Sequence, residues 1–233
     1  LDGVDVLGGT TAAVVGVGFF TGASTNISNL TIQNSTLSNN SYGFSLTTGT
    51  TGTFGAMTFV NVIVNNNAND GIRINGNGIV SSVTISESTF SNNGTTGCAT
   101  QQSGLSFTNI SNLSITNTTT SSNRCNFGQS AGISVLPTTA SGPYTVSFST
   151  LISNQNNGAG IALGNYLTGT ITNSQFNQNS GSGGFGVNGN SSNLTISNTT
   201  ANTNTNDGFS VKGSATNIIF DHCVADGNAP GGT

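Results

Sequence analysis

Apolar and polar positions alternate along this chain in two short phrases that recur from one end to the other. The first is apolar–Thr/Ser–apolar, as in Leu30-Thr31-Ile32, Val83-Thr84-Ile85, Leu113-Ser114-Ile115 and Leu194-Thr195-Ile196; it is also read at Thr145-Val146-Ser147 and Thr170-Ile171-Thr172. The second is Gly–apolar–x–apolar, as in Gly43-Phe44-Ser45-Leu46, Gly71-Ile72-Arg73-Ile74, Gly160-Ile161-Ala162-Leu163 and Gly208-Phe209-Ser210-Val211. A third apolar point lies between them, at Leu37, Val64, Phe90, Phe176 and Ala201. Alternation with period two predicts half-buried strands rather than helices. Asn and Gly, which form turns, bound each strand.

Corresponding glycines of the second phrase are 28, 33, 28, 28, 24 and 24 residues apart. Recurrence at such a period is the signature of a stacked repeat. Strands of three to five residues are too short to close a barrel at this spacing. Three of them per turn, each stacked on its counterpart at about 4.8 Å, make a solenoid. The fold class is therefore all-β, a single-stranded parallel β-helix of about eight coils with three short strands per coil. It forms one domain over residues 1–233, read as part of a longer chain or assembly.

Two Asn columns accompany the strands. Asn40, Asn67, Asn93, Asn123, Asn179, Asn204 and Asn228 follow the third apolar point, and Asn34, Asn61, Asn117, Asn173 and Asn198 close the first strand, with Glu87 and His222 as replacements. Asn tolerates left-handed backbone at sharp turns, and stacked amides hydrogen-bond along the stack. Both columns are thus expected to be structural, with turn formation the leading role of the first.

This pattern resembles the right-handed parallel β-helix repeat of pectate-lyase-like enzymes, phage tailspikes and bacterial surface adhesins. The resemblance covers nearly the whole chain and implies the right hand, which periodicity alone does not give. It implies no particular activity, because the fold carries many.

Charged residues are 4% of the chain, against roughly 25% in an ordinary soluble domain. Net charge is −4 and the cations are Arg73, Arg124 and Lys212. Nucleic acid and anionic membrane surfaces both require a basic footprint, so neither is an expected partner. No apolar run approaches the roughly 20 residues of a membrane-spanning helix. The start shows neither an initiating Met nor a basic leader, so the chain reads as a mature or excised piece.

Seven carboxylates make a sparse supply for catalysis. Asn69-Asp70-Gly71 and Asn206-Asp207-Gly208 resemble the Asn-x-Asp-Gly motif of polygalacturonase-like enzymes, whose Gly-His-Gly and Arg-Ile-Lys motifs are lacking here. The two lie about five coils apart at about 4.8 Å per coil, too far to share one scissile bond. No catalytic residue, metal ligand or cofactor is assigned. Asp221, His222, Cys223 and Asp226 in the last coil have an acid–base or metal reading, weighed against a divergent terminal repeat, which is preferred.

Cys98 and Cys125 lie 27 residues apart in enlarged turns of adjacent coils, a separation that could bring them within bridging reach. A disulfide there would suit an extracellular compartment. Bridged and unbridged forms both stay open, as does the partner of Cys223. Insertions at 94–103, 124–131 and 137–144 carry Gln101, Gln102, Arg124 and Tyr144, suited to sugar hydroxyls and expected on a binding face.

Outward positions of the first strand pair as Thr31/Gln33, Thr58/Val60, Thr84/Ser86, Ser114/Thr116, Thr145/Ser147, Thr170/Thr172 and Thr195/Ser197. This uncharged hydroxyl face resembles that of β-solenoid ice-binding proteins, though Thr and Ser are also ordinary strand residues. The leading expectation is a secreted or surface-displayed, non-catalytic structural β-helix. As an adhesin passenger or fibre segment it would act through self-association, end-to-end stacking or attachment to glycans or a host surface. A carbohydrate-binding or polysaccharide-cleaving β-helix is the alternative, and ice binding the third reading.

Overall fold

The computed structural model describes residues 1, 3, 5–7, 15–20, 26–48, 54–95, 102–125, 130–140 and 142–229. Among these residues the regular elements are all strands, gathered into two parallel sheets. The first runs in order through Asp5–Leu7, Ile27–Ser38, Phe54–Asn65, Val80–Ser86, Ile110–Ser121, Tyr144–Ile152, Leu167–Thr172, Ser192–Ser197 and Thr216–Asp221. Thr89–Ser91 pairs beside Phe54–Asn65 and Ile110–Ser121. The second sheet runs through Val15–Phe20, Tyr42–Thr48, Ile72–Gly76, Leu105–Phe107, Ala131–Val135, Ala159–Leu163, Phe185–Asn188 and Phe209–Lys212.

Each strand neighbours its counterpart one coil away, so the chain winds as a parallel β-solenoid. It makes about seven turns rather than the expected eight. Eight strands of the second sheet enclose only seven turns, and the outermost phrases add strands without completing coils.

Three strand positions per coil are present, but two of them often merge. Ile27–Ser38, Phe54–Asn65 and Ile110–Ser121 each bend through one left-handed residue, Asn34 (φ 49°), Asn61 (φ 51°) and Asn117 (φ 47°). Towards the C-terminus the third position shrinks to single bridges at Ile152, Gln175, Thr200 and Val224.

Register corrects the first phrase in two coils. Leu113 pairs with Val146 and Ile115 with Phe148, so the phrase is Val146-Ser147-Phe148 rather than Thr145-Val146-Ser147. In the next coil it is Gly169-Thr170-Ile171. Phe148 takes the inward place because its ring fills the core, and Thr145 turns out to solvent.

The core is a set of one-residue columns. Ile32, Phe59, Ile85, Ile115, Phe148, Ile171 and Ile196 stack along the first sheet, facing Phe44, Ile72, Leu105, Ile133, Ile161 and Phe185 of the second; all are buried. Phe44 and Phe59 meet edge to face at 5.1 Å across the interior, a preferred aromatic geometry. The third column is interrupted by buried Thr120 and Ser153, whose hydroxyls hydrogen-bond to each other at 2.8 Å.

Candidate functional site

The Asn ladder is continuous. The backbone N–H groups of Asn40, Asn67, Asn93, Asn123, Asn156, Asn179 and Asn204 each donate to the Oδ1 of the next ladder Asn, ending at Asn228. From Asn67 onward the side-chain Nδ2 donates to that same oxygen, at 2.9–3.1 Å. Asn156 is a member that the sequence reading missed. The signal was a spacing of three from the third inward point, as in Leu37–Asn40 and Val64–Asn67, hidden because that point is Ser153 here.

The turn role expected for this ladder falls one residue earlier. Positive φ belongs to Asn39, Asn66, Asn92, Ser122, Gln155, Gln178, Thr203 and Gly227, each preceding a ladder Asn. In the second column, Asn34, Asn61, Glu87, Asn117, Asn173, Asn198 and His222 do have positive φ, and Thr150 completes it. The inner column thus supplies side-chain hydrogen bonds and the outer column supplies the left-handed corner.

Just inside that corner, the hydroxyls of Ser35, Ser88, Thr118, Ser174 and Thr199 donate to the carbonyl two residues back. Cys223 continues the column: its thiol lies 3.3 Å from Ile196 O and 3.5 Å from Asp221 O. The last-coil constellation therefore divides. Asp221 and His222 are exposed and joined at 2.7 Å, while Cys223 turns inward. Among the described residues no group of three His, Cys, Asp or Glu side chains is placed to hold a metal ion.

The residues expected to form a binding loop do not share one surface. Tyr144 is buried, its hydroxyl 2.6 Å from Thr139 Oγ1. Gln102 is also buried; its Nε2 donates to Asn69 Oδ1 at 2.8 Å, and its Oε1 has no hydrogen-bond partner among the described residues. Arg124 is exposed, and its carbonyl accepts from Asn157 Nδ2 at 2.8 Å. Gln101 and Cys98 lie outside the described residues, and with Cys98 so does the proposed bridge. Cys125 is buried and accepts from Ser130 Oγ at 3.3 Å.

Beside Gln102 sits the most perturbed acid. Asp70 is buried, and its Oδ1 accepts a 2.6 Å hydrogen bond from Ser103 N one coil on. Burial pushes its carboxyl up to about 7, with the Ser103 N–H and the Arg73 charge pulling the other way. Its sequence counterpart Asp207 is only half-buried. Register places the two five coils apart, since Ile72 connects through Leu105, Ile133, Ile161 and Phe185 to Phe209.

Two surface features complete the inventory. A cleft of about 120 Å³ on the outer face of the second sheet is floored by the column Ala162, Gly186 and Ser210, with Ser182, Asn188 and Lys212 on its margins. In the last described coil, residues of the inward columns are exposed. Val211 is 43% exposed where its partner Val187 is 0%, and Phe220 is 40% exposed where Ile196 is 0%.

Parallel coils, inward apolar columns and an internal Asn ladder define a β-solenoid scaffold. The chain belongs to the right handed beta helix family, whose model, described as "Right handed beta helix region", matches residues 101–233, more than half of the sequence. That family is broad and holds both enzymes and non-enzymes. No curated protein and no solved structure matches the chain.

Proposed function

We propose that this chain is a structural segment of a β-helical rod, displayed outside the cell or on its surface, that joins end-on to a further β-helical coil. The exposed inward columns of the last described coil carry the reading. Phe220 and Val211 occupy columns that are fully buried one coil earlier, and they lie in the parallel edge strands Thr216–Asp221 and Phe209–Lys212. Apolar burial favours a cover there by about 25 cal/mol per Å², and an open strand edge is itself a template for pairing. Weak charge on the outer faces removes long-range repulsion between copies. In this reading, adhesion or fibre formation comes from the rod's length and faces.

The test is sedimentation velocity across a concentration series, with electron micrographs of the same samples. End-on dimers or filaments are expected, and Phe220→Glu combined with Val211→Glu should return monomers. Monodisperse monomers at every concentration, indifferent to the double substitution, would defeat self-association as the way this end is covered.

A second reading, polysaccharide binding, is favoured by the cleft at Lys212 and Asn188. A cation beside amide and hydroxyl groups suits an acidic sugar. Affinity electrophoresis with polyuronates should show retardation lost in Lys212→Ala. Release of reducing ends or unsaturated sugars in the same samples would make the chain an enzyme.

A further inference from the structure

The outer face of the first sheet carries an ordered array of hydroxyls. Thr84, Ser114, Ser147, Thr170 and Thr195 stand in one register column across five consecutive coils. Two residues along each strand, Ser86, Thr116, Ser149, Thr172 and Ser197 form a second column. The corrected register places Ser147 and Ser149, rather than Thr145 and Ser147, beside Ser114 and Thr116. All ten side chains are exposed or half-exposed, and none of their hydroxyls has a hydrogen-bond partner among the described residues. Inner hydroxyls such as Ser88 and Thr199 are, by contrast, saturated by backbone carbonyls.

Backbone geometry fixes the lattice: about 4.8 Å between coils and roughly 6.6 Å between alternate residues of a strand. Thr58/Val60 bound it on one side and Ile219/Asp221 on the other. Inside those bounds the face has neither charge nor aromatic ring. Small-molecule and sugar sites are concave, protein interfaces are anchored by aromatic residues and Arg, and polyanions need cations. An uncharged array without aromatic rings, held on a hydrogen-bonded sheet, meets none of these. It matches an occupant that is itself an extended lattice of groups both donating and accepting hydrogen bonds. Each hydroxyl does both, and the sheet holds the array without ordering cost on binding.

We infer that this face binds ice, the ten hydroxyls holding water at lattice positions along coils 84–86 to 195–197. The inference is independent of end-on association, since a monomer presents the whole face.

The experiment uses the 233-residue chain in a nanolitre osmometer and in ice-affinity partitioning. Faceted crystals, a freezing-point gap and enrichment in the ice fraction are expected. Thr170→Lys and, separately, Ser149→Lys should each reduce the gap at least several-fold, while Ser180→Lys, exposed away from this face, should leave it unchanged. Circular dichroism melts check that each variant is folded. Unshaped crystals with the protein excluded from ice would overturn the inference. So would ice activity that survives both substitutions, or partition onto crystalline cellulose or chitin in preference to ice, which would assign the array to a polysaccharide lattice.

Discussion

Asn67 gives two hydrogen bonds to a single atom: its backbone N–H and its side-chain Nδ2 both donate to Asn93 Oδ1, at 3.2 and 2.9 Å. Asn93 in turn donates through Nδ2 to Val64 O at 3.1 Å, so one amide ties three coils together. Asn93→Ala therefore strands the buried Asn67 N–H and takes one bond each from Val64 O and from Asn67 Nδ2, which keeps its bond to Leu37 O. Each such group costs about 1–3 kcal/mol, and a loss on the order of 3 kcal/mol is expected in urea unfolding. A loss below about 1 kcal/mol would mean that water replaces the amide.

The outer column predicts the opposite sensitivity. Asn61 is exposed and adopts φ 51°, and its side chain makes one bond, 2.9 Å to Asn34 Oδ1. Left-handed backbone costs a residue with a Cβ roughly 1–2 kcal/mol, while glycine escapes that cost. Asn61→Ala should destabilise by about 1 kcal/mol and Asn61→Gly by clearly less. Equal losses would place the stabilisation in the Asn34 contact instead.

Two glycines separate packing from flexibility. A Cβ at Gly104 would lie 2.7 Å from Asn123 Nδ2 and 2.8 Å from Gly132 O, so the ladder itself leaves room only for glycine. At Gly186 the nearest atom would be Ile161 O at 3.9 Å. Gly104→Ala should cost about 2–3 kcal/mol through overpacking. Gly186→Ala should be neutral or stabilising by about 0.5 kcal/mol, while raising the floor of the Lys212 cleft. Thermal melts of the two variants give the comparison directly.

The architecture was legible because a column residue such as Ile85 or Ile161 must be apolar in every coil to bury its neighbours, and that demand prints a period on the chain. Register slipped at Val146-Ser147-Phe148, where Thr145 and Ser147 offered a second alternation, and again where the print was faint. Gly169 occupies an inward place with no side chain, and Ser153 puts a hydroxyl where other coils put an apolar group, hiding Asn156. The candidate site was harder to read. Tyr144 and Gln102 belong to types that often bind sugars, yet Tyr144 opens a strand and points inward beside Leu167, and Gln102 is buried against Asn69 of the neighbouring coil. Phe220 could be seen as a core residue, but not as an uncovered one, because exposure depends on what stacks beyond it.

Asp70 makes stability depend on pH in a direction opposite to a salt-bridged carboxylate. Its native carboxyl is pushed up to about 7 by burial, from an ordinary 3.8. Between those values the folded state keeps a proton that the unfolded chain has released. Stability therefore falls as pH rises through this window and levels off above about 7. Asp70→Asn keeps an Oδ1 to accept the Ser103 N–H and has no proton to lose. The variant should lack this component of the slope, melting near the parent at pH 4 and above it at pH 8. Melting curves from pH 4 to 8 decide the matter: parallel curves for the two proteins would show that the carboxyl ionises within the fold without cost, and that water or Arg73 already compensates its charge.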